Sequence, residues 1–356
     1  MAMSASVRQQ HSANQHDIEE MEADELIQDF QSVDDLAGAG INVREIELLK
    51  SQMGLHCVED IIHTPLKRLT ETKGITEAKA EKIQTAARSI CKTSVRVGLQ
   101  SARELFAEEE DRHFQISTGS KELDDILGGG ITSGDLTEIY GEFRTGKSQL
   151  MYTLAVQAQL STEHGGANGK AIFIDTEGSF KPERFKPIAD RFSISPDAAM
   201  EYIMCAKPAT CDMFVRMIQV ELPAVLAAHK NIKILLIDSL MALFRTEFVG
   251  RGQLADRQAL IGKLLSHLKR LAQNYNIGIV YTNQVMSTPD AAATMGAPIV
   301  KACGGHIVSH NTTTRIQFKK GRDTARKAKI VDAPHLREAE AEFYITSGGI
   351  NDSPED

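Results

Sequence analysis

One octapeptide restricts this chain more than any bulk property: Gly141-Glu142-Phe143-Arg144-Thr145-Gly146-Lys147-Ser148. It fills every position of G-x-x-x-x-G-K-[ST]. An apolar run ends just before it at Tyr140, and a helical pattern starts near Lys147. Glycines at both ends let successive backbone N–H groups curl around phosphate oxygens. Lys147 adds a point charge for the β and γ phosphates, and Ser148 a hydroxyl for magnesium. Gln149 follows in the first helical turn. The pattern predicts a nucleoside triphosphate site, with ATP and magnesium as its ligands.

The surrounding sequence predicts what carries such a loop. Apolar runs rich in β-branched residues fall at 136–140, 171–175, 232–238 and 277–282, with helical stretches at 148–160, 182–192 and 256–273. Near-continuous apolar strands alternating with helices mean a mostly parallel sheet covered on both faces. Three shorter strands, at 312–319, 326–332 and 342–346, are expected to extend it antiparallel at one edge. Upstream, apolar residues recur at helical spacing through Val43, Ile46, Leu49 and Met53, then Val58, Ile61 and Ile62. Within that stretch, Lys73-Gly74-Ile75-Thr76 suits a helix-hairpin-helix turn with Thr76 as N-cap. Such a turn aims N–H groups at a phosphate, which makes Gly74 a candidate DNA contact; an ordinary packing turn explains the same residues equally well. The expected organisation is a disordered acidic arm over 1–22, a helical domain over 23–92, a linker over 93–112 and an α/β core over 113–356.

Net charge is −8, which by itself speaks against nucleic acid. The distribution changes that reading. Residues 1–40 hold nine carboxylates against one Arg, whereas residues 315–329 hold seven basic side chains against Asp323. Five scattered cysteines, none in a C-x-x-C pair, point to reduced thiols rather than disulfides or zinc. No run of about 18 apolar residues occurs, so no membrane helix is expected. The polar N-terminus does not read as a secretory signal.

Strand ends supply the remaining chemistry, because ligands of open α/β sheets bind there. Ile234-Leu235-Leu236-Ile237-Asp238 is an apolar strand closed by a carboxylate, as expected of a magnesium partner. Phe173-Ile174-Asp175-Thr176-Glu177 offers two acids, of which Glu177 is the better candidate to activate water; Asp175 competes, and a turn-capping acid is the alternative for either. Tyr281-Thr282-Asn283-Gln284 ends in an amide suited to touching a γ-phosphate. A long irregular stretch of small residues, 285–303, follows it.

Together, Gly141 to Lys147, Ile174-Asp175-Thr176-Glu177-Gly178, Leu236-Ile237-Asp238-Ser239, Thr282-Asn283-Gln284, Phe248-Val249-Gly250-Arg251-Gly252 and Gly304-Gly305-His306-Ile307 resemble the eukaryotic RecA-type DNA strand-exchange recombinases. The likeness runs from about residue 34 to the C-terminus. Ser239 to Arg245, His306, Pro289 and Gly348-Gly349-Ile350 lean toward the meiosis-specific branch; the general recombinase is the nearest rival. The resemblance implies a RecA-like P-loop ATPase core and a small helix-hairpin-helix domain. It implies a DNA-dependent ATPase that forms filaments on single-stranded DNA, pairs it with duplex and exchanges strands in the nucleus, with recombination mediators as partners and no membrane role. In that family Lys147 and Ser148 hold phosphate and magnesium with Asp238 behind the metal, and Glu177 activates water. Gln284 and His310 sense the γ-phosphate, and Arg184 lies against the adenine. Arg251 and Arg257 belong to a first DNA loop; 285–303, with Pro289 and Lys301, forms a second, closed by Gly304 and Gly305. Read alone, Arg251 and Arg257 fit a solvated charge pattern better than a DNA contact, and a satisfied core histidine near a strand start is the alternative for His310.

Three departures stand out. The family's Phe-x-x-Ala, whose ring plugs into the neighbouring subunit of a filament or ring, is here Leu99-x-x-Ala102, worth about 1 kcal/mol less. The Asp-Pro-Lys-Lys-Pro-Ile segment that caps ATP across the interface is here Pro298-Ile299-Val300-Lys301-Ala302-Cys303, without the acid and second proline. Gln253 stands where the family usually has Glu. These departures motivate an alternative, a non-catalytic paralogue that supports another recombinase's filament. A hexameric helicase with the same core is a third reading, disfavoured by the helical N-terminal unit.

Overall fold

A computed structural model describes residues 30–91, 99, 101–248, 250–288 and 299–355; the acidic arm expected over 1–22 lies outside them. The described residues fall into two compact units, bounded by Met1–Arg96 with Ala224–Asn231 and by Val97–Pro223 with Ile232–Asp356.

The first unit is helical. A 3-10 turn (Val33–Ala37) leads to α1 (Val43–Met53), α2 (Val58–His63), α3 (Leu66–Thr70) and α4 (Glu77–Ile90). Asn42 caps α1 by accepting the Arg44 N–H at 2.9 Å, and Gly54 ends it at φ +68°. Val33, Leu36, Ile46, Leu49, Ile61, Leu69 and Ile83 share one buried core. Before α4, Gly74 sits at φ +106°, where a side chain would be strained. Thr76 takes the N-cap position, but its hydroxyl makes no capping bond there. Lys79 fastens the turn instead, donating to the Gly74 carbonyl at 3.3 Å and pairing with Glu45 at 2.9 Å.

The second unit opens with α5 (Ala102–Arg112), whose N-cap Ser101 forms a reciprocal capping box with Glu104. A short pair, β1 (Gln115–Ile116) with β2 (Ile131–Thr132), flanks α6 (Lys121–Leu127). Then come β3 (Leu136–Gly141), α7 (Lys147–Gln157), β4 (Lys170–Asp175), α8 (Phe185–Arg191), α9 (Pro196–Glu201), β5 (Ile203–Ala206), α10 (Cys211–Arg216), α11 (Leu222–Ala228), β6 (Ile232–Asp238), α12 (Ala242–Glu247), α13 (Leu254–Tyr275) and β7 (Gly278–Asn283). The chain continues through β8 (Val285–Thr288), β9 (Ile299–Ala302), α14 (Gly305–Asn311), β10 (Thr314–Lys320), β11 (Ala325–Asp332), β12 (Glu340–Thr346) and β13 (Gly349–Asn351).

Nine strands form the central sheet in the order β13-β12-β11-β10-β3-β7-β6-β4-β5. Every residue of β3, β6 and β7 is buried, which explains their unbroken apolar runs. Residues 149–157 of α7 are buried throughout, so this helix lies inside the fold rather than on it. The expected class, a mostly parallel sheet with antiparallel C-terminal strands, is the observed one. Two details differ. The first tail strand, β10, runs parallel to β3, and only β11 to β13 are antiparallel. The stretch 285–303 is not wholly irregular, because β8 and β9 pair antiparallel at its stem. Among the described residues no helix is long and apolar enough to cross a membrane.

Candidate nucleotide site

Close packing dictates the glycines of the loop after β3. A Cβ on Gly141 would lie 2.3 Å from the Phe318 carbonyl oxygen, and one on Gly146 would lie 3.0 Å from Ile345 Cδ1. Gly146 also carries φ +104° as it starts α7. Thr145 turns inward, its hydroxyl donating to the Glu142 carbonyl at 2.8 Å. The Lys147 ammonium donates to the carbonyls of Gly141 at 3.0 Å and Glu142 at 2.8 Å. Burial lowers its pKa, opposed by the negative charges of Asp238 and Glu177.

In-register parallel pairing lines up the strand ends. Asp175 of β4 stands opposite Asp238 of β6, and Ile237 opposite Tyr281 of β7. This brings Thr282 beside Asp238, to which its hydroxyl donates at 2.5 Å. Asp238 is 3% exposed. Burial pushes its carboxyl up, while hydrogen bonds from Thr282 and Ser148 pull it down; Glu177 adds to the rise and Lys147 opposes it. A buried carboxylate, a hydroxyl at the helix start, an ammonium and a ring of loop amides form the donor set that a triphosphate with a hard, oxygen-seeking cation requires.

The two candidate acids separate cleanly. Asp175 is buried and spent on turn formation: Oδ1 accepts the N–H groups of Glu177 at 3.1 Å and Ser179 at 3.2 Å, and Oδ2 that of Phe180 at 3.0 Å. Glu177 instead lines the cavity. Its Oε1 accepts from the Ser239 hydroxyl at 2.8 Å and from the Gln284 amide at 2.9 Å. The Gln284 carbonyl oxygen Oε1 accepts in turn from the Arg245 guanidinium. Ser239, Thr282 and Arg245 were not singled out from the sequence. Thr282 was discoverable, since strand-end alignment opposite Asp238 predicts a polar partner there.

Two cavities meet at the loop and share Arg144, Lys147 and Ser148. One, of about 570 Å³, is also lined by Gly141, Glu142, Phe143, Glu177, Asp238, Gln284 and Val285. The other, of about 460 Å³, adds Thr145, Gly146, Gln149, Arg184, Asp323, Thr324, Arg326 and Ile345. The structure therefore gathers Gly141 to Gln149, Glu177, Arg184, Asp238 and Gln284 around two adjoining cavities that share Arg144, Lys147 and Ser148. Phe143 is largely exposed at its rim, with the Lys320 ammonium 4.4 Å from its ring centre.

Other candidates lie elsewhere. His310 is exposed at the end of α14, its ring 5.9 Å from that of His306, and it lines neither cavity. Arg257 lies in the first turn of α13, its buried Nε without a hydrogen-bond partner among the described residues. Both Arg257 and Arg245 pull the Cys303 thiol down against the burial that raises it, so both are near the base of β9. Lys301 is exposed on β9, and Gly304 and Gly305 start α14 at φ +96° and +63°. Arg251 begins a 3-10 turn, Arg251–Gln253, and Pro289 lies outside the described residues. Leu99 is fully exposed, and Ala102 is the first residue of α5.

A family model described as Rad51 matches residues 109–353. The human meiotic recombination protein DMC1/LIM15 homolog is 44% identical over 331 residues, covering 92% of this chain and 94% of that protein. The Arabidopsis thaliana meiotic recombination protein DMC1 homolog is 40% identical over 354 residues, 99% of each chain. The DNA repair protein RAD51 of Saccharomyces cerevisiae is 38% identical over 349 residues, 98% of this chain and 85% of that one.

Proposed function

This chain belongs to the Rad51 family, and on that premise we propose that it is an ATP-dependent recombinase that assembles on single-stranded DNA and catalyses homologous pairing and strand exchange in meiotic recombination and break repair. The observation that carries the catalytic half is the position of Glu177, fixed through Oε1 by Ser239 and Gln284. No hydrogen bond to Oε2 occurs among the described residues, which leaves that atom to take a proton from the attacking water. Lys147 and the loop amides orient the phosphates, and Ser148 with Asp238 would hold magnesium. When bound, that ion neutralises charge developing on the β and γ oxygens.

The DNA half follows from chemistry at the strand ends. Gln284 touches Glu177 and opens the 285–303 segment, so the hydrolytic acid and the second loop share one residue. Binding through Arg251, Arg257, Lys301 and the glycine turn at Gly304-Gly305 would be largely sequence-independent and salt-sensitive, leaving homology to base pairing. Gly74 would add a duplex contact. Leu99 and Ala102 would join neighbouring subunits in a filament or ring, and His310 would sense the γ-phosphate together with Gln284. The chain would act in the nucleus with recombination mediators.

The test is a joint-molecule assay with and without ATP, alongside ATP turnover with and without single-stranded DNA. Lys147→Arg should keep part of the nucleotide affinity and lose turnover. A homogeneous, DNA-bound preparation that forms no joint molecules would favour the accessory-paralogue reading instead.

A further inference from the structure

Lys147 and Tyr152 share helix α7, five residues apart and so about 7.5 Å along its axis. The first faces the phosphate loop. The second is 2% exposed and packs within an aromatic cluster, its ring centre 5.4 Å from Phe173, 5.7 Å from Phe180 and 4.9 Å from Phe185. Its hydroxyl accepts the Lys181 N–H at 2.7 Å. The Arg184 guanidinium carbon lies 5.1 Å from the Tyr152 ring centre. Arg184 itself is exposed, at the end of the 3-10 turn Pro182–Arg184.

An exposed arginine on a short turn ordinarily samples many rotamers, and arresting it costs side-chain entropy. Here a buried phenol restrains it in two ways: the ring lies against the guanidinium, and the hydroxyl ties down the turn that carries it. Arg184 lines the cavity that lacks Glu177, Asp238 and Gln284. A triphosphate whose terminal phosphate lies at Glu177 extends its base toward that second cavity. A planar cation with one side braced on an aromatic ring offers its other side to a planar base.

We propose that Tyr152 is a positioning residue for nucleobase recognition: it holds the Arg184 guanidinium as a fixed platform, and α7 sets that platform in rigid register with Lys147. The inference rests on the nucleotide reading of the site. It predicts that Tyr152 contributes to binding of the base and not of the phosphates.

The test compares wild type, Tyr152→Phe and Tyr152→Leu for ATP and for inorganic tripolyphosphate, which has no base. Tyr152→Phe keeps the ring and loses the hydroxyl. It should raise the KM for ATP about three- to tenfold, the range of one hydrogen bond, while kcat at saturation changes less than twofold. Tyr152→Leu, which also loses the ring, should raise KM further. Tripolyphosphate affinity should stay within twofold for both. Parallel loss of ATP and tripolyphosphate affinity would overturn the proposal, since it reports damage to α7 as a whole. So would an unchanged KM in both variants. Failure of wild type to bind ATP at all would sink the nucleotide reading itself, a separate outcome visible before any variant is made.

Discussion

Glu177 and Asp175 are two residues apart, yet the structure gives them opposite work, and isosteric substitution separates them. In Glu177→Gln the retained oxygen still accepts from Ser239 and Gln284. The new amide replaces the oxygen that would take the proton. Loss of a positioned base costs about 10²- to 10⁴-fold in turnover, or roughly 2.7–5.5 kcal/mol of barrier. Nucleotide affinity should stay within about threefold. Asp175→Asn instead turns one of two accepting oxygens into a donor facing backbone N–H groups of the 177–180 turn. Losing one charge-assisted bond there costs about 1.5–3 kcal/mol. At roughly 2–4 °C per kcal/mol for a unit of this size, the melting temperature falls by about 3–12 °C. Turnover per folded molecule should fall less than tenfold. Steady-state ATP hydrolysis with saturating single-stranded DNA, nucleotide titration and thermal melting read the three quantities. Turnover of Glu177→Gln within fivefold of wild type would falsify the assignment, as would an Asp175→Asn protein of unchanged melting temperature whose turnover is the more damaged.

Three further perturbations test neighbouring parts of the argument. Arg245→Ala frees the Gln284 amide from the guanidinium that holds it; ATP binding should persist, while the ratio of DNA-stimulated to basal hydrolysis drops at least threefold, and an unchanged ratio would remove Arg245 from the coupling. Arg315→Met leaves the fully buried Glu138 without the ion pair it makes at 2.6 Å, which should cost about 3–5 kcal/mol in core stability. Burial raises the Glu138 carboxyl against the opposing charge of Arg315; burial also lowers Arg315, but the charge and hydrogen bond of Glu138 outweigh it and leave Arg315 raised. The deficit in Arg315→Met should therefore be largest near neutral pH and shrink as acid protonates Glu138; a deficit independent of pH would contradict this. In the helical unit, burial and then Lys50 hold His56 below its ordinary value, against Asp34. Its contribution to stability is whole above about pH 6.5 and is lost as pH falls toward the lower folded value. Amide exchange of α1 and α4 should accelerate over that window in wild type and not in His56→Gln.

The phosphate end of the site was legible because its chemistry is written in consecutive residues. Gly141 to Ser148 encodes loop and helix start together; Asp238 ends an apolar strand, and Glu177 and Gln284 lie just past the ends of two others, which parallel pairing gathers at one edge of the sheet. Position at the strand's C-terminal edge favours Glu177 but leaves Asp175 in competition, because which of two acids there folds back on the turn depends on the φ/ψ path of 175–180. Arg245 and Tyr152 were invisible for another reason. Each acts through a side chain remote in sequence, Gln284 and Arg184, and neither stands at a recognisable spacing. The β10 error was one of topology: alternating polar and apolar residues mark a strand with one face less buried, as at Arg315 and Gln317, but do not say whether its neighbour runs alongside or against it. Residues 285–303 read as irregular because a four-residue hairpin stem is too short to set a period.

That stem matters for how the two halves of the activity communicate. The Gln284 side chain binds Glu177, and its backbone carbonyl accepts the Cys303 N–H at 2.9 Å from the far end of the same segment. Asn283, one residue earlier, donates through Nδ2 to both Glu138 and the Cys303 carbonyl at 2.7 Å. The two ends of the 285–303 segment are thus fastened through Asn283 and Gln284 to the polar core of the sheet, and Gln284 in turn to Glu177, the acid we propose for hydrolysis. A ligand that shifts the stem of this segment must either carry the Gln284 amide with it or break its bond to Glu177. Either change alters the surroundings of Glu177, so if DNA binds this segment as we propose, it and nucleotide in the cavity need no long pathway between them. Linkage then requires that the factor by which nucleotide changes DNA affinity equal the factor by which DNA changes nucleotide affinity. The two measured ratios must agree in wild type and shrink together in Arg245→Ala.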